Sequence, residues 1–260
     1  MVDTHVHIGQ FNEIYYNPVE VIQIVMEKCI DGLCFSSTTT CMEDIAYSRV
    51  ENEITQTLAH IAWTYESVQP FLWYIPAFTE QGVSLESAMN NLPYKGIKLH
   101  PLAHPWNLEE KKVVRLVNEI FEYAGYNKLP VLIHTGNNGI DAAGVFSDFF
   151  PIYPETKFIL AHCRPLIETI HLIGRYPNVY GDTAFLSKSD FQKIVKENLI
   201  EKIVLGSDFP ITNYFGNKYR SRGDNRKTLK KQYDSDFKQL QYFSHFYYKR
   251  KEVKHGMGQN

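Results

Sequence analysis

The sequence predicts a single α/β domain folded as a (β/α)8 TIM barrel, and three observations carry that expectation. Over residues 1–210, short apolar runs rich in β-branched and aromatic residues alternate with longer stretches of helical periodicity. The length of 260 residues suits one such barrel. A doubly wound open sheet would carry a glycine-rich phosphate loop after its first strand, and here that stretch, Asp3 to Gly9, holds one glycine.

Strands are expected at Val2–Ile8, Gly32–Thr38, Phe71–Phe78, Gly96–His100, Pro130–His134, Phe158–His162, Val179–Thr183 and Ile203–Ser207. Helical spacing fills the gaps. Pro18–Ile30 lines up Val21, Ile22, Val25 and Met26, with Pro18 suited to a first turn. Leu108–Tyr126 repeats Val113, Leu116, Val117, Ile120 and Phe121 at intervals of three and four. Further helices are expected at Ser84–Leu92, Leu166–Tyr176 and Ser189–Leu199. Ser84 and Ser189 are read as N-caps, the second with Gln192 as capping-box partner. Val145–Phe150 reads as one short helix ended by Pro151. Residues 213–227 read as loop, and Thr228–Lys251 as the helix that closes the barrel. The domain is thus expected over residues 1–260, with barrel strands and helices in 1–212 and a basic loop and helix in 213–260.

Composition narrows the function classes. Hydrophobic residues make up 44% and charged residues 22%, enough apolar material for one large core. A net charge of −2 gives no electrostatic case for nucleic acid or membrane, and no run approaches the ~18 apolar residues of a membrane span. Charge is uneven, however. Residues 213–260 hold 12 Lys and Arg against 4 Asp and Glu, which leaves 15 against 25 in the remainder. That basic segment reads as a solvated, lysine-rich helix. The N-terminus lacks the charged and apolar regions of a signal peptide. Cys29, Cys34, Cys41 and Cys163 form no CxxC pair, so a reduced cytoplasmic protein is expected.

The chemistry sits at the strand ends. His5 and His7 end the first strand, Lys98 and His100 the fourth, His134 the fifth, His162 the sixth and Asp208 the eighth. Barrel enzymes build their sites at the C-terminal ends of the strands, so these groups are expected at one shared mouth. Alternate strand residues share a face, which pairs His5 with His7 and Lys98 with His100. Imidazoles and a carboxylate form a mixed nitrogen and oxygen set suited to one divalent metal, foremost Zn2+, with Mn, Fe or Ni accommodated. Taken singly, a strand-end histidine is commonly just a satisfied polar residue, and Asp208 before Phe-Pro could simply cap a turn. It is the joint pattern that points to a metal. Arg164 after the sixth strand suits a substrate carboxylate, though a surface salt bridge uses the same residue type.

The segments DTHVHIG, GIKLHP, VLIHTG, LAHC and LGSDFP together resemble the amidohydrolase superfamily, in its branch of small metal-dependent hydrolases and decarboxylases. The resemblance covers about residues 1–210. It implies His5, His7, His134 and Asp208 as metal ligands. It implies that His162 either hydrogen-bonds the reacting water or binds a second metal. Lys98 falls where some members carry a carboxylated, metal-bridging lysine; alternatively it contacts substrate, as His100 and Arg164 would. The metal would lower the pKa of water from ~15.7 to about 7, Asp208 would accept the proton, and His162 would orient the nucleophile. The expected activity is hydrolysis of a C–O or C–N bond in a small, carboxylated molecule. Nonoxidative decarboxylation on the same site and a non-catalytic barrel are the alternatives. Expected partners are a small-molecule substrate and, optionally, a second copy of the chain, with neither nucleic acid nor membrane.

Overall fold

Strand β1 (Val2–Phe11) decides the architecture through its two neighbours. On one side it runs parallel to β3 (Gly32–Ser37), from Val2 opposite Gly32 to Ile8 opposite Ser37. On the other, the Thr4 amide donates to Leu205 O at 2.8 Å and the His7 amide to Phe209 O at 2.7 Å. Val6 and Phe209 form a parallel bridge there. The first strand therefore pairs with the last segment of the sheet as well as with its successor. The barrel is closed. These contacts come from a computed structural model that describes residues 1–28, 31–61, 67–104, 106–212 and 225–256, of which 247–256 are described as helical backbone.

The strands between are β4 (Val68–Trp73), β5 (Gly96–Leu99), β6 (Pro130–His134), β7 (Lys157–Ala161), β8 (Val179–Asp182) and β9 (Ile203–Val204). They follow chain order, each parallel to the one before, so the (β/α)8 expectation holds. Strand β2 (Ile14–Tyr16) turns back antiparallel on the far end of β1. Around the sheet lie α1 (Pro18–Met26), α2 (Tyr47–Ile61), α3 (Pro76–Glu80), α4 (Leu85–Asn91), α5 (Lys111–Tyr126), α6 (Leu166–Arg175), α7 (Lys188–Lys196) and α8 (Arg226–Gly256).

Two apolar layers hold this together. Outside the strands, helix stripes such as Val113, Val117, Ile120 and Phe121 of α5 bury against the sheet. Inside, Cys34, Phe71, Leu132, Ile159 and Ala161 form a small separate plug. Gly96 makes room for it, because a Cβ there would sit 2.6 Å from the Phe71 ring. Lys98, two residues on, shares that inward face. An apolar plug below and polar groups above give the barrel interior its chemical polarity.

Several expectations need correction. The run Phe71–Phe78 is not one strand: β4 ends at Trp73, and Pro76 opens α3 because its fixed φ suits a first helical turn. Helix α2 is additional, with Tyr47, Val50, Ile54, Thr57 and Ile61 buried at helical spacing. Ser84 caps α4 as expected, accepting from the Ser87 amide, but α7 is capped by Ser187 through the Asp190 amide rather than by Ser189. Val145–Phe150 is a series of turns, with Phe146 and Phe150 buried against Phe121 and Phe158. Helix α8 begins at Arg226, and most of the expected loop before it lies outside the described residues, as do Cys29 and Ile30. Part of its basic charge is paired, Arg226 and Lys230 with Glu27 of the segment after α1, and its acidic Asp234 meets Lys28 of that same segment.

Candidate metal centre

A register shift in β1 between Asp3 and Val6 separates two sets of side chains. Asp3, before it, accepts from the Ser207 amide at 3.0 Å and the Tyr233 hydroxyl at 3.0 Å, joining β1 to the last strand and to α8. His5, within the shift, and His7, after it, turn into the barrel. His5 Nε2 and His7 Nε2 stand 3.1 Å apart. Asp208 Oδ1 lies 3.1 Å from the first and 2.9 Å from the second. All three side chains are buried, at 1%, 4% and 4% exposure.

Asp208 arrives there by a strained backbone. Its φ is +60°, a left-handed conformation that costs a non-glycine residue about 1 kcal/mol or more. The strain is held by its own amide, which donates to His5 O at 2.7 Å, and by the turn in which Ile211 N–H reaches Asp208 O at 2.8 Å. His162, just past β7, shares this feature with φ +69°, fixed by its amide donating to Asp182 Oδ1 at 2.7 Å.

Asp182, at the end of β8 and fully buried, organises the rest. Its Oδ2 pairs with His5 Nδ1 at 2.7 Å while Oδ1 also accepts the Ala184 amide at 3.1 Å. Burial pushes its pKa up to about 7, against the His162 amide and the Lys98 charge, which pull it down. With the Nδ1–H of His5 donated to Asp182, Nε2 is left as a lone pair facing His7 and Asp208. Burial foremost, then the charge of Lys98, holds the His5 pKa well below its usual value, so the ring is neutral and able to bind a cation. Ser36 Oγ contacts His7 Nδ1 at 3.1 Å and fixes the second ring likewise.

These donors fit a metal. Ligands about 2.05 Å from zinc at tetrahedral angles lie about 3.3 Å from one another. The observed 2.9–3.1 Å separations are slightly tighter, and three buried electron-rich atoms at that spacing call for a cation between them. His5, His162 and Asp182 also approach one another closely. There the Asp182 oxygens are already used by ring and amide donors, which makes Asp182 an orienting partner rather than a ligand.

The remaining sequence-derived residues lie around this centre. His134 is not within 4.8 Å of all three donors; the close set is His5, His7 and Asp208. Its Nδ1 lies 3.1 Å from His162 Nε2, and its ring is stacked on His100 at 3.7 Å and 10°. The stack is continued by Trp73 on His100 at 5.0 Å and 2°. His100 was expected to meet substrate. Its ring stacks on both Trp73 and His134, with Nδ1 accepting the Ala103 amide at 3.1 Å. Lys98 Nζ reaches His5 Nε2 at 3.3 Å, and burial lowers its pKa to about 8 against the pull of Asp208 and Asp182. Arg164 lies over the Phe185 ring at 5.4 Å, and that ring packs on His162 at 5.5 Å. A cleft of about 340 Å³ lies between the 183–187 segment, Ser207 and Thr212 on one side and Gln232, Asp236 and Leu240 of α8 on the other, and none of the centre's side chains lines it.

Sequence reasoning missed Asp182, Asp141, Ser36 and Trp73. Asp182 follows the same rule as Asp208, a carboxylate at a strand end, and was detectable in VYGDT. The others are tertiary neighbours without a local signal.

Comparison with known proteins agrees with the fold. A family model described as amidohydrolase matches residues 42–232, a span that holds His134, His162 and Asp208 but not the β1 histidines. A search of curated proteins finds no match. Among solved structures, a uronate isomerase from Bacillus halodurans C-125 superposes with a TM-score of 0.53 at 10% identity, over 90% of this chain and 62% of that one. The YdjI aldolase from Escherichia coli K12 gives 0.53 at 12% identity, over 93% and 91%. An N-acetylneuraminate lyase from Mycoplasma synoviae gives 0.51 at 15%, over 95% and 80%. The chain thus spans under two thirds of the isomerase, and identities this low speak to the barrel alone.

Proposed function

We propose, from the premise that this chain belongs to the amidohydrolase family, that it is a metal-dependent hydrolase cleaving a C–O or C–N bond in a small, carboxylated molecule. The observation that carries the reading is the convergence of His5 Nε2, His7 Nε2 and Asp208 Oδ1 within 3.1 Å of one another at the mouth of the barrel. His5, His7 and Asp208 would hold the ion, with His134 and His162 beside it. A divalent cation there, Zn2+ by the donor set, supplies a water of near-neutral pKa and a Lewis acid for a carbonyl oxygen.

The chain's own residues do the rest. Asp208 accepts the proton of the attacking water at its carboxylate and returns it to the leaving group. His162 orients the nucleophile; its Nδ1 is buried and lacks a hydrogen-bond partner, so it is available. Lys98 places a buried positive charge where oxygen charge develops. Arg164 holds the substrate carboxylate through its forked donors. The Trp73, His100 and His134 stack excludes water from one flank. No described helix is long and apolar enough to cross a membrane.

The test is turnover of small carboxylated amides, esters and lactones in heavy-oxygen water. Heavy oxygen should enter the product, chelation should abolish turnover, and zinc should restore it. His5→Ala and Asp208→Ala should each lower kcat/KM by roughly a thousandfold or more. Carbon dioxide release without oxygen incorporation would replace hydrolysis by decarboxylation. Turnover indifferent to chelation would remove the metal from the account.

A further inference from the structure

The second ring nitrogen of His134 faces a carboxyl group that the hydrolytic chemistry does not use. Asp141 is 1% exposed, and its Oδ2 accepts no hydrogen bond although it is buried. That oxygen stands 3.6 Å from His134 Nε2. Its companion Oδ1 accepts the Asn138 amide at 2.9 Å, and the Gly136 amide donates to Asp141 O at 2.7 Å, so the 136–141 loop folds back on the end of β6. Glycine at 136 is what permits the approach, since a Cβ there would lie 2.0 Å from Oδ2.

We infer that Asp141 is a positioning residue that fixes the tautomer of His134. Asp141 Oδ2 takes the Nε2–H and leaves Nδ1 as a lone pair turned toward His162 Nε2, beside the proposed ion site; this rests on the metal reading above. The alternative can be weighed group by group. With the proton on Nδ1, His134 would donate to His162 Nε2 at 3.1 Å. His162 would then carry its proton on Nδ1, a buried atom with no partner. One stranded N–H and one unmet carboxyl oxygen would result, each a buried polar group without a partner. With the proton on Nε2, His162 donates to His134 Nδ1 and Asp141 Oδ2 gains its donor. Only a bare His162 Nδ1 stays unmet. One carboxyl thereby sets the proton positions of two histidines in series. The 3.6 Å separation exceeds a hydrogen bond, and contacts of this kind tighten when a site engages its ligand.

Long-range proton–nitrogen NMR on the whole, metal-free chain reads the tautomer directly, with His134 identified by comparison with His134→Gln. The parent protein should show His134 protonated at Nε2. In Asp141→Asn the single carbonyl oxygen stays with the Asn138 amide, and the NH2 group turned toward His134 should move its proton to Nδ1. Zinc affinity, measured by competition with a chelating dye, should fall by about 10–100-fold while the near-UV circular dichroism is unchanged. A parent protein with His134 protonated at Nδ1 would overturn the inference. So would a folded Asp141→Asn protein with the parent tautomer and zinc affinity within about twofold. Should that variant fail to fold, the parent spectrum decides alone. A parent protein that binds no zinc tells against the proposed function instead, and leaves the tautomer result to stand by itself.

Discussion

Asp182 uses both carboxyl oxygens to hold other residues in place. One oxygen orients His5 through Nδ1 at 2.7 Å, and the other fixes the left-handed backbone of His162 through its amide at 2.7 Å. Asp182→Asn keeps the shape but replaces one acceptor by a donor, so it should present an N–H to His5 Nδ1 and misplace that ring's proton. Titration calorimetry with Zn2+ should show affinity lower by about 10–100-fold, and an unchanged affinity would remove Asp182 from the account. Much of this residue-scale picture was legible in the sequence. His5, His7, Lys98, His162 and Asp208 end apolar strands, and strand parity pairs the first two. What parity could not give is depth and direction. His134 and His100 are also strand-end residues, yet they stack on each other, with Trp73 on His100, outside the close donor set. Asp141 reaches His134 from a loop without periodicity, which no local pattern reports.

At the scale of elements, closure of the barrel depends on the contact of β1 with the last strand and with α8. Asp3 joins all three, and Tyr233 donates to its Oδ2 from α8 at 3.0 Å. Tyr233→Phe removes a donor from a buried acceptor and should lower stability by about 1–3 kcal/mol in urea unfolding; a change below about 0.3 kcal/mol would mean that α8 docks through apolar contact alone. Asp236, on the same helix, gives a pH dependence. Burial pushes its carboxyl up to about 7, opposed by hydrogen bonds from Thr212 and Gln232. In the unfolded chain an aspartate titrates near 3.9, so the folded protein binds this proton more tightly. Its contribution to stability is complete below about pH 4 and is lost as pH rises through about 7. The urea midpoint should therefore fall between pH 5 and 8.5, and fall less in Asp236→Asn; equal slopes in both proteins would contradict the shift. The strands of this closure were readable as apolar runs, and the helix as spaced aromatics. The errors came where local signals compete: Pro76 splits the Phe71–Phe78 run, and Ser187 outcompetes Ser189 as a cap because Asp190 presents its amide there.

For the whole molecule, the barrel brings together at its centre two residues 203 positions apart in the chain, His5 and Asp208. Chain order of strands, an apolar plug below and a polar ring above explain why donors from opposite ends of the sequence share one small volume. The fold class was readable because eight strand signals recur at intervals that leave room for helices. The most direct measurement is anomalous diffraction at the zinc edge from crystals grown with Zn2+. Predicted is a single strong peak about 2.0–2.2 Å from His5 Nε2, His7 Nε2 and a carboxylate oxygen of Asp208. No peak within reach of these three atoms, or one held by surface residues alone, would contradict the account.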